Sequence, residues 1–255
     1  VLSETFILNQ IAYFIKAGCD VSVVSVFPGE LSAEHKVIKD FDLIKKTRYL
    51  LEPEPRGKFS RVLARLKGLT PCLLSPNALK SMNSFKYGYY AKTLMLPHIL
   101  SKNKTPIETD IIVSHFGTTA VLANQLRKLN FLKGKLAAVF HGNDISQIRT
   151  LDIFKDDYKE LYDKAEFILP VSQLWANKIK TVSGHDDNIH VIRMGISVNK
   201  FSFQPRDFLG NPIRLLSIAR LTEKKGISVA INACLLLKQQ NVDFDYTIIG
   251  DGPLR

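Results

Sequence analysis

Apolar residues at the start of the chain recur at helical intervals. Phe6, Ile7, Ile11, Phe14 and Ile15 share one face, Ser3 stands where an N-cap belongs, and Gly18 ends the run. The period then shortens. Residues 21–27 form a β-branched run stopped by Pro28-Gly29, which predicts a strand. From there to about residue 104 the spacing is mostly helical, broken by Pro53, Pro55, Pro71, Pro76 and Pro97. Short apolar runs return at 111–114, 136–140, 167–171 and 189–192, separated by helix-length segments, a pattern that predicts a parallel sheet covered on both faces. A polar, turn-rich stretch from Ser197 to Pro212 precedes a fresh start: strand 214–219, helix 226–239 and strand 246–249. The fold class expected is therefore α/β, with one domain over residues 1–200, a linker over 201–212 and the opening of a second domain over 213–255.

Composition changes this picture little, and charge changes it more. The 255 residues are 45% apolar and 23% charged, as in an ordinary globular protein, which excludes the disordered and low-complexity classes. No run approaches the eighteen or so uninterrupted apolar residues of a membrane-spanning helix. Cys19, Cys72 and Cys234 are odd in number, far apart and without metal-ligand spacing, so a reducing, cytoplasmic setting is expected. Val1 already reads as the approach to a helix, and Gly250 to Arg255 as a strand-to-helix turn. The expectation is a missing upstream strand and a truncated second domain.

The formal charge of +11 calls for an anionic partner. Much of it lies between Lys45 and Lys67, where Lys45, Lys46, Arg48, Arg56, Lys58, Arg61, Arg65 and Lys67 outnumber Glu52 and Glu54. Phe59, Val62, Leu63 and Leu66 are interleaved there at helical spacing. Two readings stand open: a basic amphipathic helix lying on anionic lipid, or a solvated helix packed on its own domain.

In open α/β sheets, ligands collect beyond the carboxyl ends of the strands. His115, His141, Ser172, Arg220 and Gly250 each follow a predicted strand. The strongest local signal is Arg220-Leu221-Thr222-Glu223-Lys224-Lys225-Gly226. An arginine leaves a strand and a lysine follows five residues later, at a helix entrance whose free N–H groups and dipole also favour an anion. Arginine offers a fork and lysine a point charge, which together suit a diphosphate, although two solubilising loop cations would give the same letters.

This segment resembles the donor-site motif of glycosyltransferase family 4, in which a strand is followed by G-R-L and, a few residues on, K-G. The later Gly250-Asp251-Gly252-Pro253-Leu254 resembles the same domain. Ser3-Glu4-Thr5-Phe6 resembles the entrance to that family's first helix, especially in the branch that builds bacterial exopolysaccharides such as colanic acid. Ser114-His115-Phe116-Gly117 and His141-Gly142-Asn143-Asp144 resemble its acceptor-domain loops, and Met194-Gly195-Ile196 with Phe201 its interdomain segment.

The resemblance implies a GT-B-like fold of two Rossmann-like domains with parallel sheets, facing across a cleft, and a retaining hexosyltransferase. Its donor would be a UDP- or GDP-sugar, with no other cofactor and no metal, and its acceptor a glycan or polyprenyl-linked oligosaccharide. By the same likeness Arg220 and Lys225 would hold the diphosphate, Gly250 and Gly252 would shape a turn by the nucleotide, and His141 would line the cleft by the transferred sugar. Ser3, Glu4, Thr5, His115, Gly117, Gly142, Asp144 and Ser172 would complete the acceptor side, with Asp144 orienting hydroxyls. Plain structural readings also exist: Ser3 as an N-cap, His141 as a histidine satisfied by backbone, and the glycines as turn residues. Two positions depart from the family pattern, Ala219 where glycine is usual and Ser197 where aspartate is.

Other strings carry less. Asp243-Phe244-Asp245 matches the metal-binding D-x-D of other glycosyltransferases but is expected to precede a strand, as a solvated turn. His185 and His190 around Asp186-Asp187 lack zinc spacing. Neither G-x-x-x-x-G-K-[ST] nor G-x-G-x-x-G occurs. The rival from another class is a non-catalytic basic α/β protein that binds anionic lipid or nucleic acid. Nucleic acid is not the expected partner. A lipid-linked acceptor would reconcile the basic surface with a soluble fold, attached peripherally on the inner face of the cell membrane.

Overall fold

The computed structural model describes residues 5–29, 35–55, 57–67, 75–196, 198–201, 203–205 and 212–255. Contacts divide the chain into two units, Val1–Gly195 and Ile196–Arg255. The first runs α1 (Thr5–Lys16), β1 (Val23–Ser25), α2 (Lys36–Asp40), β2 (Thr47–Tyr49), α3 (Lys58–Lys67), α4 (Pro76–Lys80), α5 (Ser84–Lys92) and α6 (Met95–Lys102). It continues with β3 (Ile107–His115), α7 (Gly117–Lys128), β4 (Leu132–Phe140), α8 (Asn143–Ser146), α9 (Ile148–Lys164), β5 (Phe167–Pro170) and α10 (Gln173–Ser183).

Among the described residues of this unit, all strand pairs are parallel. β1 pairs with β2, and β3, β4 and β5 form a sheet in that order. β4 is its central strand, and residues 136–140 (Leu-Ala-Ala-Val-Phe) are buried on both faces, which is why they read as a continuous apolar run. α7 covers β3 and β4 and packs on α9, whose Tyr158, Leu161 and Tyr162 close the core against Phe140. Burying each of these large side chains stabilises the unit by about 1.5–3 kcal/mol. No helix among the described residues is long and apolar enough to cross a membrane.

In this unit two segments differ in kind from expectation. β2 lies in a stretch read as helical. Thr47-Arg48-Tyr49 has no apolar run, and its extended form comes from pairing with β1, a ladder continued when Leu50 and Leu51 donate to Ser25 and Val26 and become buried. Conversely, residues 189–192 form only a bridge, Ile189 to Ile168. The segment donates from His190 and Ile192 to Ile168 and Pro170, but Pro170 has no N–H to return, so no strand develops.

The second unit holds a 3₁₀ turn (Val198–Lys200), β6 (Ile213–Ile218), a second 3₁₀ turn (Glu223–Lys225), α11 (Ile227–Gln239) and β7 (Phe244–Ile249), with β6 and β7 parallel. β7 begins earlier than expected, so Phe244 and Asp245 of the D-x-D string are strand residues, with Asp245 opposite Arg214.

Candidate functional site

Parallel register sets the site in the first unit. His115 ends β3 opposite Val139, and His141 follows β4, so the two strand ends deliver two histidines side by side. His115 Nδ1 lies 3.1 Å from His141 Nε2, one nitrogen donating and the other accepting, and the rings stack at 5.3 Å. Phe6 of α1 sits 4.7 Å from the His141 ring and edge-on to His115 at 6.2 Å, while Phe116 lies 4.7 Å from His141 on another side. Burial, and then the neighbouring His141, lower the pKa of His115 from 6.5 to about 4. His115 is therefore neutral at pH 7, able to exchange hydrogen bonds with a hydroxyl without attracting an anion.

The loops beneath are stapled by Asp144. It is only 5% exposed; Oδ2 accepts from the Gly117 N–H at 2.8 Å and Oδ1 from the His141 N–H at 3.1 Å. Its own carbonyl accepts from Tyr158 Oη at 2.9 Å. Both carboxylate oxygens of Asp144 thus accept from backbone below the histidines, and the side chain orients the two loops. Gly117 and Gly142 are required by close packing. A Cβ on Gly117 would lie 2.3 Å from the Phe140 ring, and one on Gly142, at φ 97°, would lie 2.8 Å from Trp175 Nε1. Ser172 caps α10, accepting from the Trp175 N–H at 3.4 Å. Phe116 has φ 69°, a left-handed conformation unusual for a bulky residue, and this turns its ring toward His141. Thr5 begins α1 and is exposed; Ser3 and Glu4 lie outside the described residues.

The histidine pair has a consequence for acid stability. Unfolded His115 takes up a proton near 6.5 whereas folded His115 waits until about 4, so between those values the unfolded state binds more protons and stability falls as the pH drops. The melting temperature should decline through this window, and His115→Gln should decline less steeply. Equal slopes for the two proteins would contradict the assignment.

In the second unit, β6 and β7 end together. Ala219 donates to Ile249 at 3.1 Å and Leu221 to Asp251 at 2.8 Å. A Cβ on Gly250 would sit 1.9 Å from the Ala219 carbonyl oxygen, and one on Gly252 2.4 Å from that of Leu221, so only glycine lets the loops touch. Arg220 leaves this junction, and Lys225 closes the short turn before Gly226, whose φ of 64° redirects the chain into α11. Both cations are exposed, and among the described residues neither side chain forms an ion pair or hydrogen bond. Their charge is available to a ligand. The histidine pair belongs to the first unit and the cations to the second.

Phe6, Phe116 and Trp175 were not among the expected site residues. Phe6 and Phe116 lie inside the Ser3-to-Phe6 and Ser114-to-Gly117 motifs, and Trp175 is the sole tryptophan of the sequence; each becomes significant only through its ring contact. Among the described residues no group of three or more His, Cys, Asp or Glu is placed to hold a metal ion, and His185 lies 3.1 Å from Asp163 instead.

No family model matches the chain. Over 254 residues, the whole of the chain, it is 46% identical to a protein named amylovoran biosynthesis glycosyltransferase AmsK, from Erwinia amylovora. Over 251 residues, 98% of the chain, it is 38% identical to a protein named "Putative colanic acid biosynthesis glycosyltransferase WcaL" from Salmonella typhimurium, and 37% identical to one of the same name from Escherichia coli K12. The chain spans 62% of the length of each of these curated relatives.

Proposed function

We propose that this chain serves sugar transfer in bacterial cell-surface polysaccharide biosynthesis, as part of a retaining glycosyltransferase of family 4 with the two-lobed GT-B layout. The donor is a UDP- or GDP-sugar and the acceptor a glycan or polyprenyl-linked oligosaccharide, on the cytoplasmic side. The observation that carries this reading is the Arg220–Lys225 pair, two exposed cations without a protein partner among the described residues, at a strand end and at the entrance to α11. Similarity along the whole chain to proteins named as amylovoran and colanic acid biosynthesis glycosyltransferases supports it.

On this reading the bond from the sugar to the diphosphate breaks, the acceptor hydroxyl oxygen bonds to the sugar carbon, and the hydroxyl proton leaves with the nucleoside diphosphate. Arg220 binds phosphate oxygens through its fork, Lys225 adds a point charge, and the first N–H groups of α11 complete an anion site that neutralises the departing diphosphate. His141, with neutral His115 behind it, contacts a sugar or acceptor hydroxyl, and Phe6 and Phe116 offer apolar walls to the sugar ring's C–H faces. No metal is needed for charge neutralisation, because the two cations supply it.

A thermal-shift comparison with UDP, GDP and duplex DNA tests the proposal against a non-catalytic basic binder. The melting temperature should rise with a nucleoside diphosphate. A response to DNA alone would overturn the transferase reading.

A further inference from the structure

α3 is attached to its unit the wrong way round. At 100° per residue, Phe59, Val62, Leu63 and Leu66 fall within about 100° of arc, while Arg61, Ala64 and Arg65 point away from that stripe. An ordinary surface helix buries the apolar stripe. Here Arg65 is 7% exposed and Phe59 84% exposed, with Val62, Leu63 and Leu66 also exposed. The anchor is a bidentate ion pair, Arg65 Nε and a terminal nitrogen each 2.7 Å from an oxygen of Glu54, and the other terminal nitrogen donates to the Thr93 carbonyl at 2.6 Å. Both partners of this pair are about nine-tenths buried. The geometry is fixed by two planar groups held out of water, and it turns four adjacent apolar side chains to the outside.

An apolar stripe held outward by a buried ion pair marks a surface with a partner. We infer that α3 docks this chain onto an anionic lipid bilayer, its stripe entering the headgroup boundary. Charge selects this occupant. Lys46, Arg48, Arg56, Lys58, Arg61 and Lys67 surround the stripe in sequence, against Glu52; Lys45 is paired with Asp42 and Glu54 with Arg65. A second copy of a chain carrying +11 would bring like charge against like charge. An anionic surface meets both the stripe and its basic flanks. The inference does not depend on sugar transfer, since it uses none of the residues assigned to donor or acceptor.

Flotation of the full chain with vesicles tests it. Binding is expected to vesicles of phosphatidylcholine and phosphatidylglycerol in equal amounts, to weaken with salt, and to be weak on phosphatidylcholine alone. The double variant Phe59→Ser, Leu63→Ser removes two exposed side chains without touching the core, so it should keep the wild-type melting temperature while losing about tenfold or more in partitioning. Glu54→Gln breaks the buried pair and should weaken both stability and flotation. Unchanged flotation of the double variant, equal binding to neutral vesicles, or a concentration-dependent dimer that the double variant dissolves would each overturn the inference.

Discussion

Arg220→Ala is expected to reduce sugar transfer by about a hundredfold or more, the scale seen when one preorganised donor to developing negative charge is removed. The effect should fall on chemistry and donor binding rather than on folding, because the Arg220 side chain is exposed and makes no hydrogen bond or ion pair among the described residues. Its melting temperature without ligand should match that of the wild type, while the shift produced by UDP or GDP is lost. Lys225→Ala should behave in the same way with a smaller loss, since a point charge on a flexible stem contributes less than a two-pronged contact. Arg220→Lys should recover only part of the rate: charge returns but the fork does not. Steady-state rates over a range of donor concentration, beside thermal shifts, give the readout. Wild-type diphosphate binding by Arg220→Ala would remove the cation pair from the donor site and with it the proposed role of this loop.

Asp144→Ala should be the most damaging single change to the first unit's site. One carboxylate, 5% exposed, accepts from the Gly117 and His141 backbone N–H groups and so ties the β3–α7 turn to the β4–α8 turn. Hydrogen bonds to a charged group contribute about 1.5–3 kcal/mol each, and their removal leaves donors unsatisfied next to a packed core. A loss of about 2–4 kcal/mol is expected, which for a protein of this size lowers the melting temperature by roughly 5–15 °C. Asp144→Asn keeps one acceptor oxygen but brings an amide N–H₂ toward the second donor, so it should fall between the two. Circular-dichroism melts measure the stability, and the ring signals of His115 and His141 should shift in both variants because the backbone under His141 moves. A melt of Asp144→Ala within about 2 °C of wild type would show that the staple contributes little.

The two cases differ in how visible they were along the chain. Arg220 and Lys225 are read directly, since a strand end, a five-residue spacing and a glycine before a helix are all local features. Asp144 is visible as a carboxylate near His141, but its tie between two loops is not, because that depends on where Gly117 arrives from, 27 residues earlier. The His115–His141 contact is likewise hidden, because strand register, rather than either histidine's neighbours, brings Nδ1 of one ring within 3.1 Å of Nε2 of the other. β2 has no local signal for a related reason, being a strand only by virtue of pairing with β1.

What the amino-acid order determined by itself is the alternation of strands and helices, the buried run of β4, the glycine-bounded turn before α11 and the basic amphipathic character of α3. These follow from hydrophobic periodicity, turn chemistry and charge, all of which act over a few residues. Tertiary structure alone decided which face of α3 points outward, which carboxylate holds the loops, and which aromatic rings enclose the histidines. A helix with both an apolar stripe and an arginine can dock by either side. The partner for Arg65, Glu54, and the acceptor at Thr93 lie on other segments, so the choice was made by packing between elements that no local pattern relates.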